Sequence, residues 1–390
     1  MDLPLDPPIR PMLARSVATV PDQPDGRAGW VYEPKWDGFR AIVYRDGDDV
    51  RIDSRNTRPM QRYFPEVVEA VRAELPRRCV VDGEIVVARP PGEHDDVARL
   101  DFDTLSQRIH PAESRVRLLA SSVPASLVVF DVLAADDEDL TDRPLSERLD
   151  RLDGLGLRGP QVHATPRTTD AAVARRWLET FEGAGLDGVV AKPADGTYQP
   201  NKRGWLKIKH ARTADVVLAG LREHKTSTPE RPLVGSLLLG LYRDDADGGA
   251  DGGPTLQFVG VAASFTAARR AALYDELLPL ALDPQSPEAA EHPWADWRDP
   301  AAEGSAGQRR PGVQSRWSAG KDLSFTPLRV ERVLEVGYDH MEGTRFRHTA
   351  QFKRWRPDRE PASCTYDQLA EPVGYDLADL LPGAPGTTER

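Results

Sequence analysis

Short runs in which apolar residues alternate with polar ones, or stand together, recur at WVYEPK, RAIVYR, VRIDSR, CVVDGEIVVA, SLVVFDVL and GVVAK. Their Val and Ile content and their period of two read as strands. Between them, PEVVEAVRAEL, LSERLDRLDGL and DAAVARRWLETFEGAG repeat apolar residues every three or four positions, which predicts amphipathic helices. The strands and helices do not alternate regularly, so the pattern predicts an α+β domain with a largely antiparallel sheet. Beyond KIKHARTA the character changes. ADVVLAGLREH, GSLLLGLYR, LQFVGVAAS and ERVLEVGYDHM read as strands separated by Gly- and Asp-rich turns, with one helix predicted at FTAARRAALYDELLPLAL. Several strands and one helix are the element count of an OB-type β-barrel. We therefore divide the chain into residues 1–212, residues 213–360 and a tail over 361–390, with the boundary near Thr213. Residues 283–320, rich in Pro, Gly and Ala, read as a long loop whose Trp294 and Trp297 are expected to pack.

The length of 390 residues accommodates these divisions, at roughly 100–200 residues per domain. Hydrophobic residues at 39% and charged residues at 29% allow folded cores. No apolar run is long enough to cross a bilayer, and MDLPLDPPIRPML lacks the layout of a signal peptide. Cys79 and Cys364 are too few for a disulfide framework or a Cys-based zinc site, so a cytoplasmic location is expected. The net charge of −11 argues against a polyanionic partner until its distribution is considered. Acidic residues gather in GEHDDVARLDFD, ADDEDLTD and RDDADGGADGG, and basic ones in NKRGWLKIKHAR and RFRHTAQFKRWRPDR. A surface polarised in this way can hold nucleic acid despite the total.

The candidate chemistry starts at EPKWDGFR. Lys35 follows a proline-interrupted strand end and precedes an Asp-Gly turn. A lysine acts as a nucleophile only when neutral, which burial or neighbouring cations promote. Lys207 and Lys209 in WLKIK alternate at strand spacing and so share one face, and Lys192 in GVVAK offers a third cation. Each feature alone has an ordinary explanation. Lys35 could be a surface lysine beside a turn, Phe130 a core residue, Glu84 a solvated turn carboxylate, and RWRPDR a plain basic patch. GLGLRG matches G-x-G-x-x-G but follows a helical pattern rather than a strand, and no G-x-x-x-x-G-K-[ST] is present. The histidines show no zinc spacing.

The features also occur in a fixed order: EPKWDGFR, SRN, VVDGEIV, VVFDVL, LDGVVAK, WLKIK and RWRPDR. This series resembles the covalent nucleotidyltransferases, which comprise DNA ligases, RNA ligases and capping enzymes. The combination of EPKWDGFR, GVVAK and RFRHTAQFKRWRPD is most similar to the bacterial ATP-dependent DNA ligases of the C type. The resemblance implies an adenylation domain followed by an OB domain that turns between reaction steps. It implies a Lys35–AMP intermediate made from ATP, with Mg2+ or Mn2+ near Glu84 and Asp187. It further implies that Asp37 and Arg40 assist at the nick, and that Glu33 lies at the adenine edge, Arg55 at the ribose or phosphate, and Phe130 on the base. Lys192 would lie in the nucleotide site. Lys207 and Lys209 would neutralise the α-phosphate, and Arg356, Asp358 and Arg359 would orient the departing pyrophosphate. Asp187 stands where the wider family has Glu, and Arg359 where it has Lys. The implied partners are nicked duplex DNA and a primase-like repair polymerase, with the chain acting as a monomer. An RNA ligase, a capping-type guanylyltransferase and a non-catalytic OB-fold nucleic-acid binder are the alternatives; the last would have no need of Lys35.

Overall fold

The computed structural model describes all residues except 27, 93–95, 158, 210–211, 244–253, 284, 296–323, 340, 370–373 and 388–390. The chain forms two compact units, Met1–His210 with Pro372–Arg390, and Ala211–Glu371. In the first, the main strands are β1 (Ala14–Val17), β2 (Trp30–Pro34), β3 (Phe39–Asp46), β4 (Asp49–Ser54), β5 (Arg78–Val86), β6 (Ser126–Ala135), β7 (Val162–Ala164), β8 (Val189–Pro193) and β9 (Trp205–Ile208). The helices are α1 (Pro65–Glu74), α2 (Phe102–Ser106), α3 (Glu113–Ser122), α4 (Leu145–Gly154) and α5 (Ala171–Thr180). One sheet runs β1-β9-β8-β2 and the other β7-β6-β5-β3-β4. Pairing is antiparallel except for β1 with β9 and β7 with β6.

Strand β6 is buried along all its residues, which explains the continuous apolar run SLVVFDVLAA. Its one acid, Asp131, is fully buried and bound at both oxygens by Arg148 of α4, at 2.8 and 2.9 Å. Arg148 also donates to the carbonyls of Arg143 and Gly196. This buried pair ties the apolar face of α4 (Leu145, Leu149, Leu152) to the segment that leads into β9.

In the second unit, β10 (Arg212–Glu223), β11 (Val234–Arg243), β12 (Thr255–Ala262), β13 (Thr326–Tyr338) and β14 (Gln351–Trp355) form one antiparallel sheet in the order β12-β11-β10-β13-β14. An isolated bridge between Ala262 and Ala350 brings the two outer strands together. Helix α6 (Ala267–Leu277) starts at Thr266, whose side chain accepts from Arg269 N–H, and buries Leu273 and Leu277. This is an OB-type domain with one long helix among the described residues. Of the loop expected over 283–320, the described part contains a short helix at Pro287–Ala290 and the fully buried Trp294, which donates to the carbonyl of Leu256. Trp297 lies outside the described residues.

The stretch from 361 onward is not a free tail. Its first part belongs to the second unit and the rest to the first. Leu377, Leu381 and Ala384 enter the core of the first unit, Leu377 N–H donates to the carbonyl of Ala98, and Tyr375 packs on Phe181 at 4.8 Å. Leu377 and Leu381, one helical turn apart, are both fully buried. Leu377→Ala is expected to lose about 2–5 kcal/mol of unfolding free energy, read as a lower urea midpoint. An unchanged midpoint would mean that the docked segment adds nothing to the core.

Candidate active site

Strand β2 ends at Pro34, and Lys35 follows at once. Two backbone hydrogen bonds, from Lys35 N–H to the carbonyl of Gly188 and from Asp187 N–H to the carbonyl of Lys35, join this point to the start of β8. Both motif glycines are sterically required. A Cβ on Gly38 would lie 2.2 Å from the carbonyl oxygen of Ile85, and one on Gly188, at φ +129, would lie 2.1 Å from that of Ile208. The Lys35–Gly38 turn is thereby pressed onto β5, where Glu84 accepts from Gly38 N–H.

Asp187 collects the charge. Its Oδ2 lies 2.5 Å from Lys35 Nζ and 3.0 Å from Lys209 Nζ. Burial pushes this carboxyl up, but the two ammonium groups outweigh burial and hold it at about 2. Lys207 is pushed below the usual lysine range, first by burial and then by Lys209, Lys35 and Arg55. Lys207 and Lys209 are half-buried, while Leu206 and Ile208 between and before them are buried. Arg55 sits exposed in the turn after β4.

A second group lies deeper. Glu33 and Lys192 form an ion pair at 2.6 Å, each side chain 2% exposed. Lys192 Nζ also donates to the carbonyl of Phe130 and sits 4.6 Å from the centre of the Phe130 ring. Lys192, expected among the cations around Lys35, thus faces Glu33 and Phe130. Burial raises the Glu33 carboxyl, and Lys192 pulls it down. Its Oε1 is buried with no hydrogen-bond partner among the described residues. An orphaned acceptor of this kind fits the amino group of a bound base.

Three residues that are not among the sequence candidates, Asp82, Tyr198 and Trp205, complete this layer. Arg40 binds Asp82 through Nε and one terminal nitrogen, both at 2.5 Å, and Tyr198 donates to the same carboxylate at 2.6 Å. The Arg40 guanidinium lies over Phe130 at 4.6 Å and over Trp205 at 5.1 Å. Phe130 is therefore buried with cations on it, and Asp37 is buried in the turn that follows Lys35. Asp82 had one detectable signal, an acid directly after the apolar run CVV of a central strand.

Glu84 stands opposite Arg40 across β3 and β5. Burial raises its carboxyl to about 7, against the pull of Arg40 and Lys35. A half-buried carboxylate that is short of positive charge fits a divalent cation. Mg2+ commonly takes only one or two protein carboxylates and completes its shell with phosphates and water. Asp187 fits less well, since two ammonium groups already match it. Among the described residues no group of three or more His, Cys, Asp or Glu side chains could form a protein-only metal cage.

In the second unit, Arg356 is held by two acids. One terminal nitrogen meets Asp215 at 2.9 and 2.8 Å, and Nε and the other terminal nitrogen meet Asp358 at 2.9 and 2.7 Å. Arg359 Nε lies 3.6 Å from Asp215. The hydrogen bonds from Arg356 hold the Asp358 carboxyl at about 2.

Glu84 yields a pH prediction. Its native value of about 7 lies above the ordinary 4.5, so the native state holds this proton more tightly than the unfolded chain. Stability is therefore lost as pH rises from about 4.5 through 7. In metal-free buffer, Glu84→Gln is expected to melt above the wild type at pH 8, with the gap closing near pH 4. A gap of constant size across that range would refute the burial argument.

Residues 11–209 match the family described as ATP dependent DNA ligase domain, and residues 230–359 match the ATP dependent DNA ligase C terminal region. The chain is 54% identical to DNA ligase C of Mycobacterium tuberculosis, over 98% of this chain and 99% of that one. It is also 54% identical to DNA ligase C2 of Mycolicibacterium smegmatis, over 95% of this chain and 97% of the relative. DNA ligase C1 of the same organism is 48% identical, over 98% and 99%. With both of its parts matched and its full length shared with these relatives, the chain belongs to the ATP-dependent DNA ligases, and among them to the bacterial C type.

Proposed function

We propose that this ATP-dependent ligase carries AMP on Lys35 and uses it to seal nicks in duplex DNA, in DNA repair. The observation that carries the reading is the sharing of Asp187 by Lys35 and Lys209, with Lys207 beside them. The Lys35 amine must leave Asp187 and lose a proton before it can attack. Lys209 keeps the carboxylate matched when that happens. The amine nitrogen then bonds to the α-phosphorus of ATP, and the bond from that phosphorus to the pyrophosphate oxygen breaks. Lys207 and Lys209 offset the charge that builds on the α-phosphate oxygens. Glu33 Oε1 would accept from the adenine amino group. A nick 5′-phosphate oxygen next attacks the AMP phosphorus and releases the lysine, and the 3′-hydroxyl attacks the 5′-phosphorus and expels AMP. Mg2+ or Mn2+, held through Glu84 with a lesser contact to Asp187, would supply further neutralisation of phosphate charge. Asp37, Arg40 and Arg55 would contact phosphate or sugar, and Arg356, Asp358 and Arg359 would orient the departing pyrophosphate. We further propose that the enzyme acts as a cytoplasmic monomer, recruited by a primase-like repair polymerase.

Two experiments test this reading. Incubation with ATP labelled at the α-phosphate should give an acid-labile adduct on the wild type and none on Lys35→Ala, while GTP gives none. A normal adduct on Lys35→Ala would remove Lys35 from the mechanism. Arg356→Ala should slow adduct formation by about 10-fold or more, the order of one lost charge-stabilising contact. It should seal a pre-adenylated nick almost as fast as the wild type, since no pyrophosphate is present. Slow sealing with normal adenylation would make RFRHTAQFKRWRPDR a DNA-gripping segment only.

A further inference from the structure

The second unit contains a built support for its arginines whose acid, Asp215, lies outside the motif series. Asp215 lies near the start of β10, far from Arg356 in sequence, yet its carboxylate meets one Arg356 terminal nitrogen with both oxygens and lies within 3.6 Å of Arg359 Nε. The backbone of Asp215 is itself clamped. Its N–H donates to Gln368 Oε1 at 2.7 Å, and its carbonyl accepts from Gln368 Nε2 at 3.0 Å. Gln368 in turn donates to the carbonyl of Thr365, and Thr365 bridges to Tyr242 of β11.

The two acids on Arg356 are therefore not equivalent. Asp358 is 60% exposed and only two residues away in a turn, so it can follow the arginine. Asp215 is 14% exposed, lies on a paired strand, and is fixed by Gln368 on both sides of its peptide. A guanidinium is a rigid fork on a flexible stem, and its orientation is set by whichever carboxylate cannot move. Holding the fork beforehand lowers the entropy that must be given up when it meets a polyphosphate.

We infer that Asp215, fixed by Gln368, is the positioning residue that orients Arg356 and Arg359 toward the pyrophosphate end of ATP. This inference rests on the proposed role of Arg356. Asp358 is the partner that can exchange for phosphate oxygens, and Asp215 is the one that stays. Gln368 belongs to the stretch that the sequence pattern presents as a tail, so the support comes from both ends of this unit.

The test is a mutant cycle in the full-length protein, with single-turnover adenylation, KM for ATP, and sealing of a pre-adenylated nick as readouts. Asp215→Asn keeps the shape and removes the charge. It is expected to slow adenylation by at least tenfold at low ATP, chiefly through KM, and to change sealing by less than threefold. In the Arg356→Ala background the same substitution should cost less than twofold, because its effect passes through Arg356. Gln368→Ala should give a milder loss of the same kind, and it carries the test if Asp215→Asn does not fold. If Arg356→Ala slows adenylation while Asp215→Asn and Gln368→Ala do not, the positioning inference falls and the role of Arg356 stands. If Asp215→Asn costs as much without Arg356 as with it, Asp215 does not act through Arg356 and the inference likewise falls. If Arg356→Ala adenylates normally, both fall.

Discussion

One carboxylate shared between two ammonium groups organises the first unit around Lys35. Asp187 is held at about 2 against burial because Lys35 and Lys209 flank it. That arrangement needs the end of β2, the start of β8 and the end of β9 to meet at one place. Backbone hydrogen bonds between Lys35, Asp187 and Gly188 bring the first two together, and the missing Cβ of Gly188 lets β9 approach. Removing either partner of a partly buried pair leaves the other charge unmatched. The shared arrangement means that one cation can be spent in chemistry while the other keeps the acid paired.

Beneath it lies a layer of polar groups that are satisfied by one another. Glu33 with Lys192, Arg40 with Asp82 and Tyr198, and Asp131 with Arg148 are all buried or nearly so. Buried ion pairs add little net stability, because desolvation offsets their attraction. What they do here is fix the rings of Phe130 and Trp205 between cations and hold the segment that leads to β9. The unmatched Oε1 of Glu33 is the exception, and it marks the place where a ligand has something to satisfy.

The strands carrying the motifs were legible because central strands buried on both faces need Val and Ile runs. Strands β1 and β7 were not, since ARSV and VHA are too short and mixed to show a period. Helix α2 is a single turn, and α3 buries only Val116 and Leu119. The lysine cluster could be anticipated because strand alternation puts Lys207 and Lys209 on one side. Tyr198 with Asp82, and Asp215 with Arg356, could not, because 116 and 141 residues separate the partners. Nothing local distinguishes Tyr198 or Asp215 from its neighbours. The pairing of Lys192 with Glu33 was hidden for the same reason. A buried lysine and a surface lysine look alike in sequence, and the Glu33 that receives it lies on another strand.

The return of residues 372–390 to the first unit makes the second unit an insertion in the connectivity of the first. The chain therefore crosses between them twice. A single protease nick at either crossing leaves two fragments, and neither need diffuse away. Cut near residue 211, the chain still has Leu377 and Leu381 seated in the opposite fragment. Cut near residue 372, a short peptide remains docked by those same leucines. A fragment ending at residue 210 is the different case, for it exposes the apolar seat that they fill. A minimal fragment of the first unit that keeps this seat covered is discontinuous, with the docking segment spliced back through a linker in place of the second unit.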